Sequence, residues 1–92
     1  ALYSLEDYDG AIEAYDEALD LNPEMTTAWY NKGNALHSLE DYDGAIEAYY
    51  GALSLDPEYA YAWNNLGIAL EALGRTTEAE EAYARAQELW TE

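Results

Sequence analysis

The chain has 92 residues, half of them apolar, with 20 acidic residues against 3 basic ones and a net charge of −17. That charge argues against nucleic acid or an anionic lipid surface as the main partner and favours a neutral or basic one. Without cysteine there is neither a disulfide framework nor thiol chemistry, and no apolar run is long enough to suggest a membrane span.

The opening residues, Ala1 to Leu5, read as a short stub before the first helix. From there Tyr8, Ala11, Ile12, Tyr15, Ala18 and Leu19 fall at steps of three and four, the spacing of one face of an α-helix. Asp9-Gly10 is a hairpin signal in isolation, but its neighbours do not alternate with period two, so the segment is predicted as helix with Asp7 as its N-cap. Asn22-Pro23 ends that helix, because proline disfavours helical geometry in the residue before it. A second helix is predicted over Thr27 to Leu39, with Trp29, Gly33 and Leu36 on one stripe. Gly33 inside a helix costs about 1 kcal/mol relative to alanine, which implies a neighbour packed too close for a side chain. Lys32 also lies at a stripe position and is expected to extend outward along a seam between helices.

The third helix repeats the first. Ser4–Tyr15 and Ser38–Tyr49 both read SLEDYDGAIEAY, so the offset is 38 − 4 = 34 residues, and 19 of the 25 positions from Ala1 to Met25 match those from Ala35 to Tyr59. Asp41 takes the place of Asp7 as N-cap, and Asp56-Pro57 closes the helix. A fourth helix is predicted from Tyr61 to Leu73, stopped by Gly74, and a fifth starts behind a capping box of Thr77 and Glu80. In this last copy Ile46 and Leu53 are replaced by Glu80 and Gln87, a more polar face suited to the end of a stack.

Trp29 recurring as Trp63, Gly33 as Gly67, Leu36 as Leu70, Ala45 as Ala79, Tyr49 as Tyr83 and Pro23 as Pro57 give the chain a pattern that resembles the tetratricopeptide repeat family. The resemblance covers the whole chain. Departures are Lys32 where the family prefers leucine, and Leu36 and Leu70 in place of tyrosine. It implies an all-α, right-handed superhelical solenoid of antiparallel helix-turn-helix units, in one domain. Residues 1–25 would be a partial repeat, 26–59 a full repeat and 60–92 a final, cap-like repeat. Relative to Ala35, the first copy lacks the counterparts of Thr26 to Asn34, so apolar surface around Leu19, Leu21 and Trp29 is expected to lie open.

No catalytic constellation, metal set or cofactor motif is present, and the single His37 has no second ligand or nucleophile at useful spacing. An enzyme is not expected. The resemblance implies a non-catalytic interaction scaffold with a groove lined by the first helix of each repeat. Its candidate residues are Thr27, Tyr30, Asn31, Asn34 and His37 from one helix, and Tyr61, Asn64, Asn65 and Ile68 from the next. Asparagine offers both a donor and an acceptor to a peptide backbone, and tyrosine adds contact area at low entropy cost. Some family members clamp a C-terminal carboxylate. Asn34 and Asn65 match asparagine positions of that clamp, but tyrosines at 30 and 61 stand where cations are needed, so an acidic tail is not the expected partner. The alternative is a structural or engineered unit that self-associates through its open N-terminal face. Composition fits a cytoplasmic protein.

Overall fold

The computed structural model of the chain describes residues 6–91, with side chains from Tyr8 onward; the expected stub over residues 1–5 lies outside the described residues. Five α-helices follow one another: α1 (Glu6–Leu21), α2 (Thr26–Ser38), α3 (Tyr42–Leu55), α4 (Ala60–Ala72) and α5 (Thr76–Thr91). Helices α2 and α4 each sit one residue earlier than the periodicity predicts.

Turn chemistry sets the boundaries. At Asn22-Pro23 and Asp56-Pro57 the side chains of Asn22 and Asp56 accept hydrogen bonds from the backbone of Glu24 and Glu58, each at 3.2 Å. The indole Nε1 of Trp29 and of Trp63 then donates to the Pro23 and Pro57 carbonyls at 3.0 and 2.8 Å, tying each first helix to the turn that precedes it. Asp41 caps α3 as predicted, accepting from Gly44 N at 3.1 Å. The other two caps differ. α1 already begins at Glu6, ahead of Asp7, whose side chain lies outside the described residues. At α5 the helix starts at Thr76, which places Thr77 inside its first turn; the expected capping box gives way to Arg75, whose guanidinium holds both carboxylate oxygens of Glu78 at 2.7 and 2.9 Å.

Both α2 and α4 end in the same way. Gly74 (φ 79°) donates to Glu71 O and Arg75 N to Leu70 O, the paired bonds of a Schellman motif with a left-handed residue just beyond the helix. Glu40 holds the equivalent position with φ 65° and the same two bonds, Glu40 N to His37 O and Asp41 N to Leu36 O.

The helices pack as two tight pairs, α2 with α3 and α4 with α5, joined by α3 against α4; α1 packs on α2. The close approach predicted at the glycines is observed. A β-carbon on Gly33 would lie 2.5 Å from the Tyr49 ring, and one on Gly67 would lie 2.6 Å from that of Tyr83. The core runs through α3, α4 and α5, built from Ala45, Tyr49, Leu53, Leu66, Leu70 and Ala82. Ile46 and Leu53 are buried in it, whereas Glu80 and Gln87 at the same positions of α5 are exposed, as the polar last face requires. Lys32 runs along the α1–α2 seam as expected, with a partner the sequence does not reveal: its ammonium pairs with Asp16 at 2.6 Å and lies 5.6 Å from the centre of the Trp29 ring.

The open surface expected on α1 is present only in part. Leu19 is buried and Trp29 half-buried, while Leu21 is 88 % exposed. Identical residues in α1 and α3 locate the opening. Ala45, Ala48, Tyr49 and Ala52 are buried beneath α2 and its neighbours; Ala11, Ala14, Tyr15 and Ala18 are not.

Candidate functional site

Four of the nine candidate residues, Asn34, His37, Asn65 and Ile68, meet in one cleft of about 240 Å³ between α2 and α4, together with Ser38 and Tyr49. The two helices run side by side because each packs on α3, so positions 31 residues apart come within hydrogen-bonding reach. Tyr49 donates its hydroxyl proton to Asn34 Oδ1 at 2.6 Å, and Asn65 Nδ2 donates to the same Oδ1 at 3.0 Å. The second Asn65 Nδ2 bond goes to the Tyr30 hydroxyl, also at 3.0 Å. Asn64 reaches Asn65 Oδ1 only at 3.4 Å.

This network ties the two repeats together, a role beyond the backbone recognition expected of the asparagines. Its unused capacity is specific. Asn34 Nδ2 and the Tyr30 hydroxyl proton have no acceptor among the described residues, and neither does Asn31. Burial raises the pKa of the Tyr49 hydroxyl well above its ordinary value, and the neighbouring Tyr30 adds to the effect, while the nearby Asn65 amide acts against it. Tyr49 is therefore a neutral donor across the physiological range.

The remaining candidates are more dispersed. Tyr30 backs the network, its ring 4.9 Å from Tyr59 and 6.1 Å from Tyr49. His37 contacts Tyr42 edge to face at 5.2 Å. Thr27 is exposed and Asn31 half-buried; neither lines the cleft. Tyr61, 61 % exposed, stacks edge to face on Trp90 of α5 at 5.8 Å. Tyr49 and Trp90 were missed because both sit on second helices. Tyr49 was nonetheless legible as the bulky residue recurring opposite a recurring glycine. Trp90 has no counterpart in another copy. Among the described residues there is no group of three or more His, Asp or Glu side chains able to hold a metal ion, and no helix is long and apolar enough to cross a membrane.

Helix pairs stacked through small residues, with side chains of successive first helices converging on one cleft, define a helical-repeat solenoid of the kind that serves as a protein-interaction scaffold. Two tetratricopeptide repeat family models match, over residues 1–60 and 36–89, and the chain belongs to the tetratricopeptide repeat family. Among solved structures it is similar to a crystal structure of MamA (32 % identity, TM-score 0.90, covering 92 % of this chain and 50 % of that one). It is also similar to the second tetratricopeptide repeat domain of Spaghetti (RPAP3) bound to the HSP90 peptide SRMEEVD (26 % identity, TM-score 0.87, covering 89 % of this chain and 76 % of that one). The chain thus spans about half the length of the MamA structure it matches. No curated protein matches it.

Proposed function

We propose that the α2–α4 surface binds an extended peptide of neutral or basic character. The observation that carries this reading is the Asn34–Asn65–Tyr30–Tyr49 network, which holds Asn34 rigidly at the cleft while leaving its Nδ2 donor free. A donor held in place loses little entropy when a peptide carbonyl meets it. Ile68, exposed at the rim, offers apolar contact, and the net charge of −17 disfavours an acidic ligand. The related domain with the peptide SRMEEVD lends support to a peptide-binding surface, but the present cleft lacks lysine and arginine, so the class of peptide differs.

The test is a peptide-library selection on the chain, followed by affinity measurements on Ile68→Glu and Asn31→Ala. Both lie outside the hydrogen-bonded network, so folding should persist. Selected peptides should lose affinity about tenfold or more in at least one of them. Undiminished binding in both, with the thermal melt unchanged, would remove this surface as the site. Asn34→Ala with Asn65→Ala is a poorer test than the sequence suggested, since it breaks the bonds between repeats.

A second reading, self-association through α1, is favoured by the contrast between the half-buried Ala11, Tyr15 and Ala18 and their fully buried copies Ala45, Tyr49 and Ala52. Molar mass from light scattering should then grow with concentration and fall to the monomer in Tyr15→Glu. A monomer at every concentration would eliminate it.

A further inference from the structure

A second cleft, of about 290 Å³, lies between α3 and α5 and is lined by Tyr50, Trp63, Leu66, Glu81 and Arg85 among others. On α4 it uses Trp63, Leu66 and Leu70, whereas the first cleft uses Asn65 and Ile68. At about 100° per residue these two sets occupy opposite flanks of the helix, so the clefts open on different faces.

The repeat supplies an internal guide to what fits there. At the first seam, Trp29 carries the ammonium of Lys32 over its ring, and Asp16 completes the site. Thirty-four residues on, Trp63 replaces Trp29, but Leu66 replaces Lys32 and Tyr50 replaces Asp16. Leu66 is 1 % exposed and ends short of where an ammonium would lie. Gly51, whose absent side chain lets the Trp29 ring lie against α3, becomes Arg85. The second seam thus keeps the aromatic floor, adds a tyrosine wall, and has no counterpart of Lys32 over the ring; the one cation in its lining is Arg85. Of the two carboxylates on the rim, Glu78 is held on both oxygens by Arg75, while Glu81 has no partner among the described residues. Arg85 turns along α5 to Glu88, at 3.1 Å.

We propose that this cleft receives a lysine side chain from a partner protein, its ammonium over Trp63 and facing Glu81 as Lys32 lies over Trp29 and faces Asp16. A cation over an indole in a partly desolvated cleft is attracted by the ring quadrupole, and the nearby carboxylate adds a screened Coulomb attraction. The site lies apart from the peptide cleft and does not depend on it.

The probe is the peptide acetyl-Gly-Gly-Lys-Gly-Gly-amide, titrated into 15N-labelled protein with the three tryptophan indole resonances as reporters. The Trp63 indole N–H is anchored on Pro57 O at 2.8 Å, so its shift reports the environment of the ring. A saturable change centred on Trp63 is expected, with little at Trp29, whose face is already occupied. Glu81→Gln should weaken the affinity about threefold and Arg85→Ala should strengthen it about threefold, the scale of an exposed ion pair. Glu24→Gln, the same charge change in the α1–α2 turn, controls for general attraction to a polyanion and should leave the affinity unchanged. Three results would each overturn the proposal: equal shifts at all three indoles, an equal response to the peptide with norleucine in place of lysine, or an equal loss in Glu24→Gln and Glu81→Gln.

Discussion

Gly33→Ala tests whether close helix approach, and not helix propensity, governs the stability of this stack. Propensity alone favours alanine inside a helix by about 1 kcal/mol. Against it, the new β-carbon would meet Tyr49 Cε1, Cδ1 and Cζ at 2.5, 2.7 and 3.0 Å, where carbon atoms prefer about 3.5–4.0 Å. The ring must retreat by about 1 Å, yet Tyr49 is 1 % exposed and its hydroxyl is held by Asn34 at 2.6 Å. Overpacking of that kind costs about 1–3 kcal/mol, and a strained or broken hydrogen bond adds about 1 kcal/mol. The net expectation is a loss of about 1–3 kcal/mol, read as a fall of about 4–8 °C in Tm for each kcal/mol in a domain of this size. Two other glycines calibrate the result. Nothing lies within 4 Å of a β-carbon on Gly10, so Gly10→Ala should stabilise by up to about 1 kcal/mol. Gly67→Ala meets Tyr83 at 2.6 Å, but that ring is less buried and bonds to exposed Glu71, so it can shift and the loss should be smaller. Urea denaturation followed by circular dichroism measures all three. If Gly33→Ala unfolds at the wild-type midpoint with the same slope, the packing argument is wrong.

Glu40→Gly should raise stability by about 1 kcal/mol, since a side chain at φ 65° carries a steric cost that glycine avoids; an unchanged thermal melt would mean that Glu40 is not strained. Alkaline pH should destabilise the fold. The Tyr49 pKa is raised by burial, so above about pH 10 the unfolded chain loses a proton that the native chain keeps, and stability falls by about 1.4 kcal/mol per pH unit. Tyr59 and Tyr83, also raised chiefly by burial, act in the same direction. Urea midpoints across that range should fall less steeply in Tyr49→Phe, and an equal slope would refute the assignment. Added salt should raise Tm, because carboxylates crowded at a net charge of −17 repel one another more in the compact state than in the unfolded chain; a salt-independent melt would show them too dispersed to matter.

The 34-residue period, the steps of three and four, and the Asn-Pro, Asp-Pro and Gly74 punctuation determined five helices and their pairing, because each rests on local chain geometry. Gly33 and Gly67 even foretold the crossing points, since a glycine repeated inside a helix needs a neighbour to justify it. Terminal details escaped this reading: Arg75 and Glu78 displaced Thr77 and Glu80 at the start of α5 through a side-chain pair that competes with capping. Local sequence was powerless where one string serves two contexts. Tyr15 and Tyr49 lie in the same twelve residues, yet one is partly open and the other buried, since burial depends on the helix opposite. For the same reason the sequence named Asn34 and Asn65 as candidate groove residues but did not show them as partners of each other and of Tyr30 and Tyr49. Only the stacking of α4 beside α2 brings side chains 31 residues apart within 3.0 Å, and that distance is a property of the packed repeats.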